Sequence, residues 1–343
     1  MGVYNFISLL GIFALMGLAW IFSTNRRIVN RHVILGGLAF QLPFALFLFL
    51  VPAGTRVFLF INDVVVAILD AAAAGSIFVF GRLALPPGST SATGETSLGF
   101  FLAFQAFPMI IVFSSLMSIF YYFGVMPLIV RGFAYVFAKF MKISGAESLS
   151  AASNIFVGIE SALTIKPHLK DMTRSELCTV LTAGMATVSS NVLAVYIFGL
   201  RDQFPTIAGH LISASCLSAP AALIMSKILL PESEEPKTLG RRVRLDYETE
   251  GNVFEAVISG ANAGVRLIVG IVALLIATLG IVALIDLGLT SVGGQLNSLI
   301  GGEIDWSLKG LLGYAFYPLT LLLGVPVSDA HVVSQMSLQC HVM

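Results

Sequence analysis

The sequence predicts an all-α integral membrane protein with many spans, and three observations carry that prediction. Of its 343 residues, 57% are hydrophobic and only 11% charged, against about 25% charged in a typical soluble domain. The mean hydropathy is +0.92. Apolar runs of close to twenty residues recur along the chain, and a helix of ~20 residues crosses ~30 Å of hydrocarbon with its backbone bonded internally. Lys plus Arg and Asp plus Glu number 19 each, so net charge gives no reason to expect a nucleic acid polymer as partner. The partner that composition does predict is the lipid bilayer.

Taken in order, residues 3–22 and 33–52 read as spans, the first as a membrane helix rather than a cleaved signal peptide. Arg26, Arg27 and Arg31 lie between them. The positive-inside rule makes that loop cytoplasmic and puts the amino terminus outside. Residues 57–83 are apolar, but Asp63 and Asp70, seven apart, share a helical face, which favours an interfacial helix. Residues 1–97 thus form a first block of spans plus an interfacial helix. The run 98–121 spans. The basic amphipathic stretch 124–142, with Arg131, Lys139 and Lys142, then falls in the cytoplasm.

Basic clusters flank 146–165 on both sides, at 131–142 and 166–174. With both cytoplasmic, this segment enters and leaves on one face, as a re-entrant hairpin. Spans follow at 175–200 and 205–229, completing a second block, 98–230. The charged linker 231–251 is cytoplasmic. The last block, 252–343, opens with a span from Asn252 to about Ile285 and an outside loop from Asp286 to Trp306. A further apolar segment, 308–325, and a new element at GVPVSDAHVVSQM complete it.

Residues 145–200 are the most informative stretch, because they are polar where a simple span would not be. Glu147, Ser148, Ser150, Ser153, Asn154, Glu160 and Ser161 interrupt one apolar run. Thr182, Gly184, Thr187, Ser189, Ser190 and Asn191 interrupt the next. Polar groups at bilayer depth line cavities or solute paths, and adjacent interrupted segments point to a transporter site built from broken helices. Glu160 reads as solute-facing or as a cap or ion-pair partner, and Glu147, near the hairpin entrance and the preceding Lys142, reads equally as structurally paired or as part of the polar path. Ser189, Ser190 and Asn191 read as pore-lining or as small-residue helix packing. Thr187 reads as an ion ligand or as back-bonded to its own helix. There is no HExxH, GxSxG or catalytic carboxylate pair, so an enzyme is not expected. Cys178, Cys216 and Cys340 have no metal or redox spacing, and the five histidines have no ligand spacing.

FSSLMSIFYYFGVM (113–126), SGAESLSAASNIFVG (144–158), MTRSELCTVLTAGMATVSSNVLAVYI (172–197), NVFEAVISGANAGVRL (252–267) and GVPVSDAHVV (324–333) together resemble the concentrative nucleoside transporter family. The likeness covers roughly residues 98–335, with the earlier spans matching in pattern only. It implies a cation-driven symporter in the bacterial cytoplasmic membrane, usually a homotrimer. Two inverted repeats would each supply a hairpin and a broken helix. Sodium is the implied ion, with the proton as the alternative. Its implied ligands are the backbone carbonyls of Asn154, Val157 and Val188 and the Thr187 hydroxyl, oxygen donors that suit a hard cation. The implied solute site is Gly158, Ile159, Glu160 and Ser161, with a nucleoside or a similar small polar molecule as solute.

The sequence departs from the family pattern twice. After NIFVG the family reads Gln-Thr-Glu, whereas Ile159-Glu160 stand here, one residue short. Isoleucine offers no hydrogen bond to a base edge. The ending MSLQCHVM matches nothing in the pattern after Gln335. The expectation is therefore a chain that stops inside the second hairpin, with the second repeat incomplete. The rival reading is a membrane module that transports nothing.

Overall fold

The structure is a computed structural model describing residues 3–90, 94–241, 243, 245, 250–300 and 305–342; the side chains of 3, 158–160, 162, 163, 299, 300 and 337–342 lie outside that description. It is helical almost throughout among the described residues, and seven helical stretches, two of them interrupted, are long and apolar enough to cross a membrane. The expected all-α membrane fold is what forms. The chain divides into two compact units, residues 22–268 and residues 1–21 with 269–343.

In the larger unit, α2 (Arg31–Leu50) and α3 (Pro52–Phe80) are joined at Val51, with Pro52 in the first turn of α3, where its missing N–H costs nothing. At 29 residues α3 is long enough to cross as well as to lie flat. Its polar face has specific partners. The Gly209 N–H donates to Asn62 Oδ1 (3.2 Å), Asn62 donates to the Pro205 carbonyl (3.2 Å), and Asp70 pairs with Arg201. Leu69 and Ala72 are buried in a cluster with Met109, Ile197, Phe198 and Ala208. Residues 57–83 are amphipathic, as expected, but their polar face is spent on protein contacts rather than wholly on water.

The run at 98–121 folds as a short helix, α4 (Leu102–Gln105), followed by α5 (Phe107–Tyr122), with Pro108 in the first turn of α5. Buried Gln105 donates to the Leu85 and Gly99 carbonyls (3.0 and 2.7 Å), fixing the loop that precedes it. The basic stretch becomes α6 (Val125–Met141), closed by Lys142 in the left-handed region (φ 53°). The next helices are α7 (Gly145–Val157), α8 (Arg174–Ala186), α9 (Ser190–Leu200) and α10 (Ile207–Leu229). The long helix α11 (Val253–Ile300) begins in this unit. There its Gly260 and Gly264 leave room for the α5 backbone, since a Cβ at either would come within 3 Å of it.

In the smaller unit, α1 (Val3–Ile21) packs on α12 (Leu308–Leu322), and α13 (Val327–Val342) folds back on α12. Ser8 donates to the Leu323 carbonyl (2.7 Å) and Thr320 to the Ala330 carbonyl (3.2 Å). Gly324 turns the chain at φ +82°, a conformation that favours glycine.

One boundary differs from expectation. The segment expected to be a loop from Asp286 is helical to Ile300, because α11 has 48 residues. Leu287, Leu289, Val292 and Leu296 continue its apolar pattern, and the helix runs on through Gly288, Gly293 and Gly294. A helix of that length runs about 72 Å, more than twice the ~30 Å hydrocarbon core.

Candidate functional site

The site is assembled from the polar stretch singled out in sequence. Helix α7 is buried from Gly145 to Ile155 despite carrying Glu147, Ser148, Ser150, Ser153 and Asn154. The chain then turns and returns as a tighter 3₁₀ limb, Gly158–Asp171. Ser153 Oγ and Thr164 Oγ1 meet across the two limbs at 3.4 Å, and Thr164 donates to the Ser161 carbonyl (2.6 Å). Residues eleven apart in sequence face each other, so the segment is a helical hairpin with its turn near 157–160.

A capping box starts the next helix. The Glu176 N–H donates to Thr173 Oγ1 (3.1 Å), and the Thr173 N–H donates to the Glu176 carboxylate (2.7 Å), the reciprocal arrangement that satisfies two orphan donors. Helix α8 ends at Ala186 and α9 begins at Ser190. Thr187 (φ −116°, ψ 154°) and Ser189 (φ −65°, ψ 148°) are extended between them. The span expected at 175–200 is thus a broken helix. Its break falls among the residues whose polarity predicted it. Extended backbone here frees carbonyls at the end of α8 and N–H groups at the start of α9.

The break faces the hairpin. Ser190 Oγ donates to the Phe156 carbonyl at 2.6 Å, tying the first residue of α9 to the hairpin turn. From the other side Ser215 of α10 donates to the Val188 carbonyl (3.4 Å). Thr187 Oγ1 donates to the Ala183 carbonyl (2.9 Å), the back-bond weighed as the alternative to ion ligation. The two roles are compatible: donation occupies the hydroxyl proton and leaves oxygen lone pairs for a cation. Five of the ten buried polar side-chain atoms without a hydrogen-bond partner among the described residues lie here. They are both amide atoms of Asn154, the hydroxyls of Ser150 and Ser161, and Asn191 Oδ1. A native fold seldom leaves such atoms unpaired, so the hairpin and the break facing it are the candidate binding site.

The expected residues therefore divide. Asn154, Ser161, Thr187, Val188, Ser190 and Asn191 gather around the hairpin and the break, with Val157 next to the bonded Phe156 carbonyl and half-buried Ser189 within the break. The backbone of Gly158, Ile159 and Glu160 forms the start of the return limb, while the side chains of Ile159 and Glu160 lie outside the described residues.

Glu147 is structurally paired. Its partner is not Lys142 but Lys227 of α10, whose ammonium lies 2.6 Å from Glu147 Oε1, the two side chains 3% and 1% exposed. Lys227 also donates to Ser175 Oγ (2.9 Å) and to Glu232 (3.0 Å), and Thr173 donates to Glu232 (3.0 Å). Lys227 was not singled out in the sequence. The available signal was a lysine in the last turn of an apolar span, five residues before a glutamate. A cavity of ≈ 470 Å³ opens beside this network, lined by Lys142, Glu147, Lys227, Glu232 and Glu235 among others.

The linker closes the hairpin's base. Thr238 accepts from the Gly145 N–H through its carbonyl (3.0 Å) and from the Ala146 N–H through its hydroxyl (3.2 Å), satisfying first-turn donors of α7. A Cβ at Gly145 would lie 2.1 Å from the Arg241 carbonyl, so only glycine allows this approach. On the other limb Lys237 pairs with Asp171 at 2.5 Å. The lysine's hydrogen bond and charge hold the exposed Asp171 carboxyl below its ordinary 3.8.

Three family models match the chain in succession. They are the Na+ dependent nucleoside transporter N-terminus over residues 10–83, the nucleoside recognition Gate over 103–203, and the Na+ dependent nucleoside transporter C-terminus over 210–339. An uncharacterized transporter of Haemophilus influenzae is 35% identical over 331 residues, covering 96% of this chain and 75% of that one. The Helicobacter pylori nucleoside permease NupC is 34% identical, with the same coverage. Rat sodium/nucleoside cotransporter 1 is also 34% identical, but this chain spans only 48% of it. Among solved structures, CNTnw in an inward-facing substrate-bound state superposes with a TM-score of 0.82 at 31% identity, covering 97% of this chain and 76% of that one. An outward-facing form of CNTnw gives the same score and identity, over 98% and 76%. With an interrupted helix set against a polar hairpin, and with this likeness along nearly its whole length, the chain belongs to the concentrative nucleoside transporter family.

Proposed function

We propose that the chain is a secondary active symporter that imports nucleosides, or a similar small polar solute, by alternating access driven by a sodium gradient. The observation that carries this reading is the junction of hairpin and broken helix, where both amide atoms of fully buried Asn154 have no hydrogen-bond partner among the described residues. Relatives named as a nucleoside permease and as a sodium/nucleoside cotransporter support the solute class and the ion. Solved relatives in inward-facing and outward-facing states support alternating access.

In this reading sodium is a co-transported substrate held by the Asn154, Val157 and Val188 carbonyls and the Thr187 hydroxyl. Unwound carbonyls replace its water without burying a full negative charge. Ion binding orders the junction, which completes the solute site formed by Gly158, Ile159, Glu160 and Ser161. Ser189, Ser190 and Asn191 line the path. Coupling arises because the ion binds more tightly to the solute-competent state. Ile159 presents no hydrogen-bonding group, so solute preference is expected to depart from that of a site built to bond a base edge. A homotrimer, a bacterial cytoplasmic membrane and an outside amino terminus complete the reading.

The test is uptake of a panel of labelled nucleosides into proteoliposomes under an imposed sodium gradient, an imposed proton gradient, or neither. Sodium-driven accumulation that weakens in Thr187→Ala and survives in Thr187→Ser supports the proposal. Accumulation on the proton gradient alone moves the coupling ion to the proton. Uptake indifferent to both gradients, in wild type and Thr187→Ala alike, removes the symporter reading.

A further inference from the structure

A second site lies away from the hairpin turn, on the outer flank of the hairpin's base. Helix α6 presents Leu128, Arg131, Gly132, Tyr135 and Ala138 at spacings of three and four, a single stripe on one helical face. Opposite this stripe stand Gly145, Ser148 and Leu149 of α7, with Arg241 and Val243 of the linker. Together they enclose a groove of ≈ 390 Å³ whose lining is mostly apolar.

Three features define what fits it. Its charged lining residues are Arg131 and Arg241, both exposed, and neither has an ion-pair partner among the described residues. No carboxylate is among the described residues that line the groove. The apolar wall opens outward, with Leu128 70% and Tyr135 50% exposed, a combination suited to the interface of a bilayer, where tyrosine sits at headgroup level. Gly132 keeps the groove open, since nothing lies within 4 Å of where its Cβ would be.

We propose that this groove is a binding site for an anionic phospholipid. The headgroup phosphate sits between Arg131 and Arg241, whose planar guanidinium groups match phosphate oxygens two at a time. One acyl chain lies along Leu128, Gly132, Tyr135 and Leu149. Basic pockets between membrane helices recognise anionic headgroups in this way. A zwitterionic lipid would bring a cationic amine to the two arginines, with no carboxylate among the described lining residues to receive it, and a free phosphate would leave the apolar wall uncovered. The bound lipid touches α6, the hairpin base and the linker at once. The proposal needs only that this face meets the bilayer surface, so it stands apart from the solute and the ion.

Native mass spectrometry of the full chain in detergent tests it, titrating dioleoyl phosphatidylglycerol, dioleoyl phosphatidylcholine or glycerol phosphate. The expected result is a saturable complex with phosphatidylglycerol, weakened about fivefold by each of Arg131→Gln and Arg241→Gln. Gly132→Leu, made into open space, should block the acyl chain while leaving the unfolding temperature in lipid-free detergent unchanged. Equal retention of phosphatidylcholine overturns the proposal. So does undiminished phosphatidylglycerol binding in the double arginine variant or in Gly132→Leu. Glycerol phosphate binding as well as the lipid does would reassign the groove to a soluble anion and overturns it too.

Discussion

The base and the turn of the hairpin use the same residue types to opposite ends. At the base, Ser144 and Glu147 cap α7 reciprocally (3.2 Å each way), and Thr173 and Glu176 do the same for α8. Lys227 then joins Glu147, Ser175 and Glu232. Toward the turn and the break that faces it, buried Ser150, Asn154 and Ser161 and half-buried Asn191 hold polar atoms with no hydrogen-bond partner among the described residues. Buried polarity alone therefore says little about function. The base is bound together by caps and an ion-pair network, with only Glu176 Oε1 lacking both a hydrogen bond and an ion pair among the described residues, whereas the open groups near the turn are free to meet a ligand.

The contrast can be broken most decisively at Lys227. Replacing it by Met strands the buried Glu147 carboxylate, and losing one partner of such a pair costs roughly 3–5 kcal/mol. Thermal unfolding in detergent should show that loss, and Lys227→Met with Glu147→Gln should recover much of it. A Lys227→Met protein as stable as wild type would mean the base is not held by this pair. Gly145→Ala comes next, at about 1–3 kcal/mol, because its methyl group meets the Arg241 carbonyl; limited proteolysis should find the linker exposed.

Asn154→Leu sharpens the other side. It removes an unpaired buried amide at nearly constant volume, so stability should hold or rise by about 1 kcal/mol while sodium-driven uptake is lost. A fall in stability as large as that of Lys227→Met would erase the distinction between turn and base. Thr187→Ala should cost about 1 kcal/mol for its back-bond and raise the sodium concentration needed for half-maximal uptake.

The smallest effect belongs to Asp171. Its folded value lies below the ordinary 3.8 because of Lys237. Its contribution is therefore present above pH 3.8 and lost as pH falls through the lower folded value. Asp171→Asn should flatten only that acid limb of a stability–pH profile, and an unchanged limb would show that the exposed pair holds nothing.

Much of this was legible in sequence, for definite physical reasons. Hydrocarbon demands long apolar helices, so composition and run length alone determined an all-α membrane fold. Polar residues are costly inside it, so Asn154 and the Thr187–Asn191 cluster announced a hairpin and a helix break before any coordinates. The reach of helix α11 past Asp286 was not legible, because a charge followed by glycines reads locally as a loop, although apolar residues continue through it. Pairing was least legible of all. Lys142 is the lysine nearest Glu147 in sequence, yet Lys227 from a distant helix reaches it. Likewise Asp63 and Asp70 suggested a helix face turned to water, while Asp70 is matched by Arg201. Hydropathy is a property of each residue and can be read locally. Which buried charge answers which, and which polar atom is left unanswered, depends on chain crossings that only the tertiary structure decides.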